Sequence, residues 1–194
     1  MRVGIIGGGT IARLVLEHIA AGELGAASVV AILGRSASSR ALRLVQEFSV
    51  PLVTSADALL ERHPDVVVEA ASHEAVRDHA EALLREGIAV IVMSAGALCD
   101  DALRARLERA AEAGGALLYV PSGGIAGLDA LKAACVAGVD EVTIAVTKPP
   151  AAWRDIPYVG ERKIDLERLS APYTIYEGPA REGVPLFPAN VPGG

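Results

Sequence analysis

Val3-Gly4-Ile5-Ile6-Gly7-Gly8-Gly9-Thr10-Ile11-Ala12 stands almost at the first residue of the chain, and a helical pattern follows at once. An apolar run that ends in glycines and turns directly into a helix is the G-x-G-x-x-A form of the dinucleotide fingerprint. Gly7 permits the tight turn out of the strand, Gly9 lets the backbone approach a pyrophosphate, and Ala12 allows helix and strand to pack closely. The N–H groups at the helix start, around Thr10 and Ile11, then face the phosphates. In a chain with 20 glycines the hexapeptide alone says little. Its place between an apolar strand and an amphipathic helix gives it meaning.

From this turn the alternation of strand and helix continues. The periodicities predict strands at Arg2–Ile6, Ser28–Leu33, Pro51–Thr54, Asp65–Ala70, Ala89–Met93 and Ala116–Val120. Between them run helices on Ile11, Leu14, Val15, His18 and Ile19, from Ser38 to Phe48, from Ser55 to Leu60, from Ser72 to Glu86 and from Asp101 to Ala113. Ser55 and Ser72 read as N-caps. Right-handed crossovers turn this order into an α/β fold, a Rossmann-type doubly wound parallel sheet. After Pro121 the character changes. Ser122-Gly123-Gly124 opens a helix to Ala137, Glu141–Thr147 reads as a strand, and from Ala151 onward Pro and Gly are frequent. The expected organisation is a dinucleotide-binding domain over 1–138 and an incomplete α+β second domain over 139–194.

Composition agrees with buried parallel strands under helices. Hydrophobic residues make up 52% and aromatics 4%, so the core is built from Ala, Val, Leu and Ile. A net charge of −6 argues against nucleic acid or an anionic membrane as partner. Mean hydropathy is +0.38, yet the longest uncharged stretch, Ala113 to Leu128, holds five glycines and a proline, so no transmembrane span is expected. The N-terminus is a strand and glycine turn, unlike a signal peptide. Cys99 and Cys135 read as buried thiols of a cytoplasmic protein.

The end of the second strand bears on cofactor choice. An NAD site places an Asp or Glu there for the ribose diol. Here the strand ends Leu33-Gly34-Arg35-Ser36. Without a carboxylate nothing repels a 2′-phosphate; Arg35 offers a planar fork and Ser36 a hydroxyl. A charge-assisted hydrogen bond contributes about 1.5–3 kcal/mol, enough to favour NADP, with NAD possible. The alternative is a solvated arginine at a helix start.

Three later stretches add specificity: Val68-Glu69-Ala70-Ala71-Ser72-His73-Glu74-Ala75-Val76, Val92-Met93-Ser94-Ala95-Gly96-Ala97-Leu98, and Pro121-Ser122-Gly123-Gly124-Ile125-Ala126-Gly127-Leu128-Asp129-Ala130-Leu131. With Thr147-Lys148-Pro149-Pro150, Glu177-Gly178-Pro179-Ala180 and Phe187-Pro188-Ala189-Asn190-Val191, the series resembles the L-aspartate dehydrogenase family over nearly the whole chain. Ala71, Ser72 and Ser94 follow strands at the carboxyl edge of the sheet, where doubly wound folds bind ligands.

The resemblance implies cofactor contacts at Gly124, where the family usually has Ala, and at Asn190. It implies reversible oxidative deamination of L-aspartate to oxaloacetate and ammonia through an imine, a step linked in related enzymes to NAD biosynthesis. It also implies a catalytic His in an Asn-x-His-Glu segment, which this sequence lacks, so the family His is expected beyond Gly194 and the chain reads as a truncated or frame-shifted member. Among the histidines present, His18 reads as a packed residue of the first helix, His63 as a loop residue and His79 as mid-helix. His73 is best placed, at the ligand edge, with a solvated first-turn residue as the alternative. Lys148 is a candidate cation for a substrate carboxylate, or else a solvated strand-end lysine. No metal-ligand spacing occurs. The alternative function is a non-catalytic NAD(P)-binding or oligomerisation module. An exposed edge at Glu141–Thr147 suggests a homo-oligomer.

Overall fold

The structure, a computed structural model, describes residues 1–34 and 39–187. Six strands, β1 (Arg2–Ile6), β2 (Ser28–Leu33), β3 (Leu52–Val53), β4 (Val66–Glu69), β5 (Ala89–Val92) and β6 (Leu118–Tyr119), form one parallel sheet in the order β3-β2-β1-β4-β5-β6. This is the dinucleotide-binding order, with its reversal between β1 and β4. The register fixes the carboxyl edge: Ile6 lies between Leu33 and Glu69, and Glu69 beside Val92. Gly7, Gly34, Ala70 and Met93 therefore leave the sheet side by side.

Helices cover both faces: α1 (Thr10–Ala20), α2 (Ser39–Phe48), α3 (Ala56–Leu60), α4 (His73–Ala75), a π-helical stretch (Val76–Ala80), α5 (Glu81–Arg85) and α6 (Asp101–Gly114). One core layer gathers Ile6, Leu59, Val67, Leu83, Leu84, Leu103 and Leu107; the other gathers Val3, Ile5, Ala12, Leu16, Ile32 and Leu44. Fully burying one such Leu or Ile stabilises by about 1.5–3 kcal/mol. Ser55 caps α3 by accepting from the Ala58 N–H at 3.1 Å, and Ser72 caps α4 by accepting from that of Ala75 at 3.2 Å, as expected for serines at those positions.

Helix α1 corrects one expectation. Its buried row is Ala12 and Leu16, flanked by Val15 and Ile19, whereas Ile11 and Leu14 are 42% and 41% exposed. The small Ala12 draws the helix close to the sheet and centres the contact there. His18 lies off that row. It is exposed and holds Glu23 at 2.7 Å, so it is not a packed residue.

The chain divides into two compact units, Met1–Pro121 and Ser122–Gly194. The division falls earlier than the expected 1–138 domain, and α7 (Leu128–Ala137) belongs with the second unit. The second unit also holds α8 (Pro157–Glu161), α9 (Ala180–Gly183) and several 3-10 turns. Its small core is Ile156, Val159 and Phe187, ringed by Trp153, Tyr158 and Tyr176 in edge-to-face contacts 5.3–6.3 Å between centroids. The strand expected at Glu141–Thr147 does not form. The alternation of apolar residues is present, but no described segment pairs with it, and Val142 and Ile144 are 50% and 55% exposed. A strand needs a ladder partner to satisfy its backbone. Cys135 is exposed and Cys99 half-buried, and both are free thiols, so neither is the buried residue expected. No described helix is long and apolar enough to cross a membrane.

Candidate dinucleotide site

The opening turn lies at the reversal point of the sheet. Gly7 donates its N–H to the Leu33 carbonyl at 2.9 Å, which ties the turn to β2. Its φ is +111°, and a Cβ there would lie 2.5 Å from the Ala70 oxygen and 3.0 Å from the Ala71 Cβ. Glycine at position 7 thus answers a demand of the protein itself. Gly9 is different. It is the N-cap of α1 with φ −87°, which any residue adopts, and a Cβ there meets nothing within 4 Å. The space a Cβ would take is left open toward an open groove lined by Gly8, Gly9, Thr10, Arg13, Arg43 and Leu44.

No side chain caps α1, and its first backbone bond runs from the Arg13 N–H to the Gly9 carbonyl at 3.1 Å. The N–H groups of its first turn, at Thr10, Ile11 and Ala12, are those an anion would take. Ala12 serves from below, fully buried against the sheet, while Thr10 and Ile11 are exposed. An open glycine and free helix-start donors fit a pyrophosphate.

The two arginines of the groove differ. Arg13 is clamped by both Glu47 oxygens at 2.6 and 2.8 Å and by Glu17 at 3.3 Å. The hydrogen bond to Glu47 comes first in raising its pKa, and Arg13 in turn holds the Glu47 carboxyl below its ordinary range. Arg43, on α2, is exposed and makes no ion pair among the described residues. Sequence reasoning passed over it, although it lies on the helix that follows the second strand. Arg35 and Ser36, expected to select the 2′-phosphate, lie outside the described residues.

On the other side of β1, the edge is organised by a residue the sequence reading did not single out. Glu69, at 0% exposure, accepts from the N–H groups of Ala71 at 2.8 Å, Ser72 at 3.0 Å and Ser94 at 3.0 Å, and from the Ser94 hydroxyl at 2.9 Å. The serines expected to meet the cofactor therefore have their hydroxyls engaged within the protein, Ser94 on Glu69 and Ser72 on the α4 cap. Ala71 is exposed at the edge. His73 follows, half-buried, with a buried Nε2 that has no hydrogen-bond partner among the described residues. Burial holds its pKa below the ordinary imidazole range, aided by Arg77 and opposed by Glu69.

In the second unit, Gly124 has open space where a Cβ would stand, so alanine would fit there. The Lys148 ammonium lies 5.7 Å from the Trp153 ring centroid, and its carbonyl accepts from the indole N–H at 3.2 Å. Asn190 lies outside the described residues. No group of three His, Cys, Asp or Glu among the described residues gathers as a metal site.

Residues 7–121 match the family described as homoserine dehydrogenase, NAD binding domain, so the first unit is a nicotinamide-dinucleotide-binding domain of a dehydrogenase. Residues 129–192 match aspartate dehydrogenase, C-terminal. The chain is 46% identical over 196 residues to L-aspartate dehydrogenase 2 of Bordetella bronchiseptica, covering 98% of this chain and 69% of the relative. It is 38% identical to L-aspartate dehydrogenase of Methanosarcina acetivorans, covering 98% and 70%. The crystal structure of aspartate dehydrogenase from Thermotoga maritima superposes with a TM-score of 0.68 at 27% identity, covering 100% of this chain and 70% of that one. The chain belongs to the L-aspartate dehydrogenase family.

Proposed function

We propose that this chain is an NAD(P)-dependent oxidoreductase acting on L-aspartate, deaminating it to oxaloacetate and ammonia through iminoaspartate, with NADP favoured over NAD. The observation that carries the reading is the open Gly9 position, beside free helix-start donors, at the strand reversal of a family member's sheet. A bound nicotinamide would supply the hydride acceptor for the substrate Cα, and water would hydrolyse the resulting imine. The residues of this chain serve binding and orientation. Gly7, Gly9, Thr10, Ile11 and Ala12 form the phosphate turn, Arg35 and Ser36 the 2′-phosphate end, Ala71, Ser72 and Ser94 the nicotinamide end, and Gly124 and Asn190 further cofactor contacts.

Preference for NADP rests on Gly34 standing where an acid would bind the ribose diol, and on Arg43 adding an exposed cation to the groove. Lys148 is the proposed cation for a substrate carboxylate, a role in which it would leave Trp153. No histidine of the chain is assigned as the base. Self-association is part of the proposal, supported by Val136, Val142 and Ile144 facing solvent in the second unit. Light scattering tests it, and a clean monomer removes it.

The experiment for the whole reading is an assay with oxaloacetate, ammonia and either NADPH or NADH, run beside titrations of both cofactors. Turnover lost on Gly9→Ala supports the dehydrogenase. Cofactor binding with no turnover makes the chain a binding module, and NADH bound tenfold tighter than NADPH refutes the preference.

A further inference from the structure

Glu69 is the only buried charged side chain among the described residues, and the chemistry above gives it no part. Its neighbours in the sheet register are Ile6 and Val92, so the strand itself calls for an apolar residue there. Burying a carboxylate is costly unless its oxygens are fully served. Here they are served by four donors: one oxygen takes Ala71 N–H, Ser72 N–H and the Ser94 hydroxyl, and the other takes Ser94 N–H. All four partners donate, so the carboxyl acts as acceptor at every contact.

These four bonds join two segments 25 residues apart in sequence, the exit of β4 and the exit of β5. Neither segment is regular strand or helix where it is gripped: Ser94 has φ −81°, ψ 55°, outside both, and Ala71 precedes the α4 cap. The same β4 exit lies against the phosphate turn, since the missing Gly7 Cβ is what admits Ala70 and Ala71. A dinucleotide whose pyrophosphate sits at Gly9 runs its nicotinamide half to the β4–β5 side of the reversal. We infer that Glu69 is a positioning residue for the nicotinamide half of the cofactor: it welds the β4 and β5 exits into one rigid floor while leaving the adenosine half untouched. The inference rests on the dinucleotide reading above.

The test compares two ligands on one protein. The full cofactor, NADPH or NADH, whichever binds tighter, is titrated against the same nucleotide without its nicotinamide ring, 2′-phospho-ADP-ribose or ADP-ribose. Glu69→Gln keeps the side-chain shape but turns an amide N–H toward a donor. It is expected to weaken the full cofactor about tenfold and the ring-less nucleotide less than about twofold. Ser94→Ala removes one hydroxyl link and leaves the carboxylate in place, with the same selectivity at about threefold. A purely structural role would weaken both ligands together or neither, and either result overturns the inference. If Glu69→Gln does not fold, Ser94→Ala decides by the same criterion. If the unaltered chain binds neither ligand, the dinucleotide reading itself falls, and the inference with it.

Discussion

Replacing Gly7 and Gly9 by alanine, one at a time, separates two reasons for a glycine in the same turn. At position 7 the new Cβ stands 2.5 Å from the Ala70 oxygen and 2.9 Å from its carbonyl carbon, both backbone atoms that cannot swing aside. Overpacking of this kind costs about 1–3 kcal/mol. A φ of +111° adds about 1–3 kcal/mol for any residue with a Cβ. Gly7→Ala is therefore expected to lose about 2–6 kcal/mol, a fall in Tm of about 8 °C or more for a unit of this size. At position 9 the φ is ordinary and the space empty, so Gly9→Ala should lose under about 1 kcal/mol, the cost of a poorer N-cap. The same methyl fills the space proposed for the pyrophosphate, so NADPH affinity should fall at least about tenfold, worth about 1.4 kcal/mol. Thermal unfolding by circular dichroism and titration of NADPH fluorescence read the two effects. A Gly9→Ala protein that melts as low as Gly7→Ala, or binds NADPH within twofold of the unaltered chain, refutes the reasoning.

Other outcomes follow from the same geometry. Arg43→Ala should weaken NADPH about three- to tenfold with little effect on NADH, as expected for an exposed cation on a phosphate; equal losses for the two cofactors would remove Arg43 from the 2′-phosphate end. Asp100 caps α6 by accepting from the Ala102 and Leu103 N–H groups at 3.0 and 3.1 Å, so Asp100→Ala should cost about 1 kcal/mol; an unchanged Tm would contradict the cap. Burial depresses the His73 pKa in the folded chain, so the unfolded chain binds the proton more readily. Its contribution to stability is complete above the ordinary imidazole pKa of about 6.5 and is lost as pH falls through the depressed folded value. His73→Gln should flatten the decline of Tm between neutral and mildly acidic pH, and parallel curves for the two proteins would dismiss His73 as its source.

The sequence carried the sheet because its strands announce themselves locally. Arg2–Ile6 ends at a glycine, and the β-branched run Val66-Val67-Val68 makes up all of β4 but its last residue. The caps at Ser55 and Ser72 were legible for the same reason, since donor and acceptor lie three residues apart. What escaped depends on distance along the chain. Nothing local to Glu69 reveals its role, because its partner Ser94 comes 25 residues later. Helical periodicity chose the wrong row in α1 because it weighted Ile11 and Leu14 by size, whereas the small Ala12 decides how close the helix comes. At Glu141–Thr147 the alternation was real, but pairing is a property of two segments, and one segment alone cannot show it.

The burial of Glu69 also bears on how such a protein can change. The Arg43 side chain stands in solvent on a helix surface, where exchange of one residue disturbs nothing beneath it. Glu69 is held in a closed set of four bonds whose donors belong to two different loops. Mutation and selection can therefore explore coenzyme preference by single steps at the adenosine end. The floor under the ring offers no such path, because any variant there must find new partners for three backbone N–H groups at once. A directed-evolution library aimed at the cofactor should accordingly draw its surviving variants from the surface of α2 and leave position 69 unaltered.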